Sequence, residues 1–263
     1  MKNIAIIGGG NLGAAIAEGL IKSNFTKPKN ITITRRNTEP LAYLGKQGVK
    51  VTSDNEEAIR ESEVVIVAVK PYNVREILNG LKHCFNPRKH ILVSVITGVA
   101  ISDLNAIVDH GVPVFRAMPN TAIAIQESVT CLCSVGANKK QVAYVTDLFN
   151  QLGITISIDE KLMDAATVLG ACGIAFALRF IRAATQGGIE IGFDARTANL
   201  IAAQTVNGAA ELLLKANRHP EEEIDKVTTP RGCTIAGLNE MEHQGFSSSL
   251  IKGIVTSFEK INP

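Results

Sequence analysis

The feature that most restricts this chain is a glycine cluster set directly behind an apolar run. Asn3-Ile4-Ala5-Ile6-Ile7 reads as a short buried strand, and Gly8-Gly9-Gly10-Asn11-Leu12-Gly13 follows without a gap. Each spacing has a physical reason. Gly8 permits the tight turn off the strand, Gly10 lets the backbone approach a pyrophosphate, and Gly13 lets the next helix lie close on the sheet. A helix over residues 11–23 then turns its free N–H groups toward the phosphates. Glycines also mark ordinary turns, so the motif takes its force from its setting, between a buried strand and an Ala/Ile/Leu-patterned helix.

Further apolar runs at 31–34, 64–69, 90–95, 112–117, 129–135 and 154–158 read as strands, separated by helix-compatible stretches that include one near 139–152. Such alternation predicts a parallel sheet with helices on both faces. From about residue 160 no convincing strand follows, and apolar residues recur at helical spacing over 161–187, 194–216, 220–226, 234–243 and 247–260. The expected architecture is therefore α/β: a Rossmann-like doubly wound dinucleotide-binding domain over 1–159, then an all-helical domain over 160–263. The 161–187 segment is apolar nearly all round, which demands a buried setting. A helical domain of roughly a hundred residues has too little interior to supply one. The helices are thus expected to pack against a second subunit, as a homodimer or higher homo-oligomer.

Composition narrows the function classes. With 263 residues, 46% hydrophobic composition and a net charge of +2, the chain has a sizeable core and no basic run beyond pairs such as Arg35-Arg36 and Lys139-Lys140, so no nucleic-acid partner is expected. Cysteines 84, 131, 133, 172 and 233 lack paired CxxC spacing and read as reduced thiols of a cytoplasmic protein. His83, His90, His110, His219 and His243 are scattered without ligand spacing, so no metal is expected and the five read as surface or helix-end residues. Glu221-Glu222-Glu223 reads as a solvated run that starts a helix. The N-terminal apolar stretch is broken at once by glycines, and the run over 165–178 meets Arg179 and Arg182 before the ~18–20 apolar residues of a membrane span. A soluble protein with no membrane partner is expected.

The second strand ends in Thr34-Arg35-Arg36-Asn37. A carboxylate here takes the ribose 2′-OH of NAD, whereas arginine and a hydroxyl accept a 2′-phosphate, so NADP is the expected cofactor, with NADPH preferred over NADH. The competing reading makes Arg35 and Arg36 solvated loop charges. Ala68-Val69-Lys70-Pro71 closes the strongest apolar run at the carboxyl edge of the sheet, where ligands of open α/β sheets bind, and Pro71 turns the chain out of the strand. Taken alone this is punctuation; the similar edge at Val95-Ile96-Thr97-Gly98 strengthens the cofactor reading.

At Arg116-Ala117-Met118-Pro119-Asn120-Thr121 the chain resembles the pyrroline-5-carboxylate reductase family. The Ala68–Pro71 edge, Ser94-Val95-Ile96-Thr97-Gly98-Val99 and the block from Val227 through Thr228-Thr229-Pro230-Arg231-Gly232-Cys233-Thr234 to Leu238 resemble that family's segments in the same order. The resemblance implies reduction of the cyclic imine 1-pyrroline-5-carboxylate to L-proline by nicotinamide hydride. It also implies a helical dimerisation domain, with each active site completed in the dimer. By position, Ile7, Gly8, Gly9, Gly10, Asn11, Leu12 and Gly13 belong to the pyrophosphate loop. Arg35, Arg36 and Asn55 fall on the adenine side, and Val69, Lys70, Pro71 and Tyr72 with Val95, Ile96 and Thr97 on the nicotinamide side. Asn120 is also assigned to the cofactor, and Thr229, Gly232, Cys233 and Thr234 to the substrate.

The chemistry needs no special nucleophile. A protonated imine accepts hydride readily, so the protein's main work is to position the two reactants and exclude water. Gly232-Cys233-Thr234, just before a helix expected near Ile235, offers consecutive N–H groups to the substrate carboxylate. Thr234 is then the expected acid, or the relay for a water, at the ring nitrogen; the alternative is a plain N-cap threonine. Departures from the family pattern are Gly170-Ala171-Cys172-Gly173 where Gly-Ser-Gly-Pro is usual, Ala122 for a proline, Arg231 for a glycine and Cys233 for Thr or Ala. Rival readings are a reductase of another cyclic imine, a β-hydroxyacid enzyme, against which Lys161 is the only lysine of 161–187, and a non-catalytic dinucleotide-binding regulator.

Overall fold

The computed structural model describes residues 2–108 and 111–261, so His110 lies outside the described residues. Eight strands form one sheet: β1 (Ile4–Ile7), β2 (Ile31–Thr34), β3 (Lys50–Thr52), β4 (Val64–Val67), β5 (Ile91–Ser94), β6 (Val114–Met118), β7 (Ser128–Val135) and β8 (Gly153–Ser157), in the order β3-β2-β1-β4-β5-β6-β7-β8. Every neighbouring pair is parallel except β6 and β7. That exception breaks the fully parallel expectation. The chain crosses from β6 to β7 through a 3₁₀ turn at Thr121–Ile125, closed by Gln126 in the left-handed region (φ 64°), which is too short for a crossover helix. The three-residue β3 is a further strand that the sequence pattern does not announce.

Five helices follow these strands in the first half: α1 (Asn11–Lys22), α2 (Ala42–Lys46), α3 (Asn55–Arg60), α4 (Val74–Leu81) and α5 (Ile101–Val108), with α6 (Lys139–Asn150) between β7 and β8. Both faces of the sheet are covered, and the two-residue period of a strand shows how. Ile4 and Ile6 of β1 pack with Ile16 and Leu20 of α1 and Leu148 and Phe149 of α6, while Ala5 and Ile7 pack on the opposite side with Leu78 of α4 and Leu104 of α5. Each fully buried isoleucine contributes about 1.5–3 kcal/mol, which explains why the central strands are continuous Val/Ile runs and not alternating ones.

Arg116 on β6 is buried and charged. It pairs with Glu160 at 3.1 Å and stands 3.6 Å from Asp164, and Glu160 also accepts the Ile101 N–H at 2.7 Å. The cluster pins the start of the helical run to the sheet. That run proceeds through α7 (Met163–Ala166) and a π-helical turn at Thr167–Cys172 into α8 (Gly173–Glu190). Residues 170–173 are therefore helical. The Gly170 carbonyl in the π turn accepts a hydrogen bond from Asn120 Nδ2 at 3.3 Å, one way in which a carbonyl in such a turn is satisfied.

The chain divides into two compact units, Met1–Cys172 and Gly173–Pro263. The second contains α8, α9 (Ala195–Ala216), α10 (Pro220–Val227), α11 (Cys233–His243) and α12 (Phe246–Ile261). α8 and α9 approach closely where a Cβ on Gly188 would stand 3.0 Å from Ala198 Cβ. Glu221-Glu222-Glu223 occupies the first turn of α10, behind Pro220 and capped by His219, as the sequence suggests. Among the described residues of this unit only Thr185, Ala198 and Ala202 are buried, while Leu200 is 68% and Ile251 61% exposed. The run Glu160–Glu190 is, by length and composition alone, long and apolar enough to cross a membrane, so Arg179 and Arg182 do not break it as expected.

Candidate active site

Where the strand order turns back, between β1 and β4, an open crevice is left beyond their carboxyl ends. A cavity of ≈ 1290 Å³ occupies it. The glycine loop is built as its spacing demands. Gly8 has φ +112°, and a Cβ there would sit 2.5 Å from the Ala68 carbonyl oxygen; a Cβ on Gly13 would come within 2.2 Å of the Gly8 oxygen. Gly13 thus serves helix-to-strand packing and does not line the cavity. Gly10 is the opposite case: nothing lies within 4 Å of its missing Cβ. The backbone there faces open space that a side chain would fill, and a dinucleotide pyrophosphate fits that space at the N-terminus of α1.

Thr34 and Arg35 act on the loop itself. The Thr34 carbonyl accepts the Gly8 and Gly9 N–H groups at 3.2 and 2.6 Å, and the Thr34 hydroxyl lies 3.4 Å from the Gly8 N–H. Its hydroxyl, expected at a 2′-phosphate, braces the turn, and the residue lines the cavity. The Arg35 guanidinium donates to the Gly9 carbonyl at 3.1 Å. Arg36, exposed at the cavity wall, has no hydrogen bond or ion pair among the described residues and is the guanidinium available to an anion. Among the described residues Glu76 of α4 is the one carboxylate of the lining, and none stands at the end of β2.

The structure brings most of the expected cofactor residues to this cavity. Ile7, Gly8, Gly9, Asn11 and Leu12 line it, as do Asn55 at the start of α3, Val69, Lys70 and Pro71 after β4, and Val95, Ile96 and Thr97 after β5. Lys70 and Pro71 begin a 3₁₀ turn with proline at its first position, which carries the chain out of the sheet. Tyr72 is 80% exposed and faces a smaller neighbouring cavity of ≈ 310 Å³ with Arg75 and Asp103. Asn120 lines neither cavity. Its Oδ1 accepts the Ala122 N–H at 3.0 Å, its Nδ2 reaches Gly170, and its own N–H donates to Ser128 Oγ, so it ties three segments together. Sequence reasoning missed Ser53, Glu76, Ile77 and Thr121, which reach the cavity through folding alone.

In the second unit Thr229, Gly232, Cys233 and Thr234 come together in one turn. The Gly232 N–H donates to the Thr229 carbonyl at 2.9 Å, and a Cβ on Gly232 would clash with Thr229 Oγ1 at 2.6 Å. Arg231 adopts φ +63°, a left-handed conformation that a glycine would hold without strain. α11 begins at Cys233, earlier than the expected start near Ile235, with Gly232 as its N-cap and no side-chain cap bond. Thr234 is therefore a first-turn residue with an exposed side chain and not the N-cap. All five cysteines are free; burial pushes the Cys133 thiol up to about 11, with Glu160 adding to it. His90 departs from the surface assignment: it is 2% exposed, its Nδ1 accepts the Asn86 N–H at 2.9 Å, and burial, with Lys89 beside it, lowers its pKa.

Comparisons with known proteins place this geometry among relatives. Residues 160–262 match a family described as pyrroline-5-carboxylate reductase dimerisation, and residues 3–98 one described as NADP oxidoreductase, coenzyme F420-dependent. Pyrroline-5-carboxylate reductases 1 and 2 of Dictyostelium discoideum are 48% and 45% identical over 98% of this chain. The chain spans 49% of the length of the first and 92% of the second. The crystal structure of Plasmodium falciparum pyrroline carboxylate reductase with NADP bound superposes with a TM-score of 0.90 at 27% identity, covering 99% of this chain and 97% of that one.

Proposed function

The chain belongs to the pyrroline-5-carboxylate reductase family, and from that premise we propose that it reduces 1-pyrroline-5-carboxylate to L-proline, the last step of proline biosynthesis, with NADPH preferred over NADH. It is an oxidoreductase acting on a C=N bond. The observation that carries the cofactor reading is the cavity at the strand-order switch, where the Gly10 backbone faces open space and Arg36 is an unengaged guanidinium just past the end of β2. When bound, NADPH supplies a hydride. Gly10, Asn11 and Leu12 at the start of α1 would hold the pyrophosphate through backbone N–H groups, with Ile7, Gly8 and Gly9 lining the cavity beside it, Arg36 would take the 2′-phosphate, and the buried Val95 and Ile96 would keep water from the nicotinamide side.

We assign the substrate carboxylate to the N–H groups of Cys233 and Thr234 at the start of α11, supported by the uncapped first turn, with Thr229 and Gly232, whose N–H is held by the Thr229 carbonyl, shaping the turn beside it. Hydride adds to C5 of the protonated ring imine, the C=N π pair becomes the nitrogen lone pair, and a secondary amine results. The Thr234 hydroxyl holds or relays the proton at that nitrogen. The dimerisation match implies a homo-oligomer, and we place its interface on the C-terminal helices, with a dimer as the smallest assembly. Cytoplasmic residence is supported by five unpaired thiols.

NADPH oxidation by the purified protein with 1-pyrroline-5-carboxylate tests the reaction. Thr234→Ala is expected to lower turnover by roughly 10²–10⁴-fold with the melting temperature unchanged; full turnover in this variant removes Thr234 from the chemistry. Arg36→Glu is expected to raise the KM for NADPH at least about tenfold and leave that for NADH little changed. Tight NADPH binding without oxidation moves the reading to another cyclic imine or to a non-catalytic sensor.

A further inference from the structure

Outside the cofactor cavity the fold assembles three donors of different chemistry. Glu56 lies in the first turn of α3, and His83 and Cys84 end the short 3₁₀ helix Lys82–Cys84 that prolongs α4. Their ligand atoms all lie within 4.8 Å of one another, and His83 Nε2 is 3.3 Å from Glu56 Oε2. In a tetrahedral zinc site with bonds of ~2.0–2.3 Å, neighbouring donors stand roughly 3.3–3.8 Å apart. The carboxylate and imidazole already have that spacing, and the Cys84 sulfur lies within 4.8 Å of both. Cys84 is 7% exposed at the base, while the other two side chains are open to solvent at the rim. Three protein donors below an open position is the arrangement of a metal that keeps a water.

We propose that Glu56, His83 and Cys84 form a binding site for a borderline-soft divalent cation of the Zn²⁺ class. A carboxylate, an imidazole and a thiolate form a mixed O/N/S set that suits Zn²⁺ and disfavours Mg²⁺ or Ca²⁺, which take oxygen donors. Binding releases the Cys84 proton to solvent. One cation already competes: Arg60 Nη2 lies 2.8 Å from Glu56 Oε2, and the same side chain hydrogen-bonds to Cys84. Its contact with Glu56 is an exposed i,i+4 pair, which contributes little, and a divalent ion would have to displace Arg60 from both Glu56 and Cys84. The ion would tie α3 to the end of α4, the two elements that bring Asn55 and Glu76 to the large cavity. Sequence spacing hides the site because Glu56 stands far from the adjacent His83 and Cys84 along the chain and meets them only through the β4 crossover.

Co²⁺ titration of the full-length protein tests this without reference to catalysis, because a cobalt–thiolate bond gives a charge-transfer band in the near ultraviolet. One Co²⁺ per chain is expected to produce the band and Zn²⁺ to abolish it. Cys84→Ser is expected to remove the band, and Cys233→Ser, which deletes the exposed thiol, to keep it. His83→Ala, at a surface position where folding is not at risk, is expected to weaken binding at least about 100-fold, the upper end of what loss of even an outer-shell partner costs. Arg60→Ala is expected to tighten binding about twofold by removing the competitor. Absence of the band, its survival in Cys84→Ser, or unchanged affinity in His83→Ala overturns the site.

Discussion

The two units of this chain solve the burial problem in opposite ways. In residues 1–172 every strand from β1 to β6 except β3 is buried along its length, and helices on both faces complete two cores from within the same chain. In residues 173–263 five helices leave Leu200, Leu212, Leu214, Ile251 and Phe258 exposed and bury Thr185, Ala198 and Ala202. A helix with an apolar face and nothing on it gains little from propensity alone. The contrast teaches that the first unit has the core to stand by its own contacts, while the second leaves its apolar faces uncovered, as the proposed homo-oligomer requires. The proposed interface would account both for this exposed apolar surface and for the membrane-like composition of Glu160–Glu190.

The largest effect is expected from charging that surface. Leu200→Asp combined with Ile251→Asp places carboxylates on two of the most exposed apolar positions of the second unit. Desolvating a charge at an apolar interface costs several kcal/mol, and each ~1.4 kcal/mol is tenfold in an equilibrium constant. Sedimentation is expected to move from oligomer to monomer, with turnover falling by more than about 100-fold, while NADPH binding to the first unit persists. An unchanged oligomer with full activity would break the comparison, because these side chains would then face solvent by design.

Two glycines sharpen it from the other side. Gly13→Ala drives a Cβ to 2.2 Å from a backbone oxygen, so the first unit is expected to lose about 1–3 kcal/mol in chemical denaturation, with no change in oligomeric state. Gly10→Ala meets nothing within 4 Å, so stability is expected to change by less than about 1 kcal/mol while NADPH affinity falls at least about tenfold. If both variants lose stability alike, the open space at Gly10 is not a ligand's space.

How far the sequence reveals these features depends on how local their causes are. The β1–Gly–α1 unit is legible because the strand, turn and helix N-terminus are contiguous and each glycine answers to one contact. The edges at Val69–Pro71 and Val95–Thr97 are legible because strand ends are marked by loss of apolar period. β3 is hidden because three residues of intermediate burial carry no period, and the reversal at β7 is hidden because it rests on a single left-handed residue, Gln126. Asn120 shows the limit of reading a motif residue as a contact residue. Its polar side chain is consumed by Ala122 and Gly170, a role visible only once the π turn is in place. Thr34 and Arg35 carry a second role that the sequence does not show: both line the cavity and also hydrogen-bond to the glycine loop.

Acid titration separates the two units most gently. In the first, burial lowers the pKa of His90. The unfolded chain therefore takes up a proton near pH 6.5 that the folded state refuses until lower pH, so stability is full above the unfolded value and declines as pH falls from about 6.5 through the lowered folded one. In the second unit the titrating cap is Asp194, whose pKa is lowered from 3.8 by hydrogen bonds from Thr197 and Arg196 at the start of α9. Its contribution is present above 3.8 and is lost only as pH falls through the folded value. Hydrogen exchange measured from pH 7.5 down to 5 is thus expected to accelerate first at β5, beside His90, while α9 keeps its protection. His90→Asn is expected to flatten the β5 response and leave α9 unchanged. Loss of protection in α9 at the same pH as in β5, in both proteins, would show that the two units open as one, and the division drawn from their burial would not extend to their energetics.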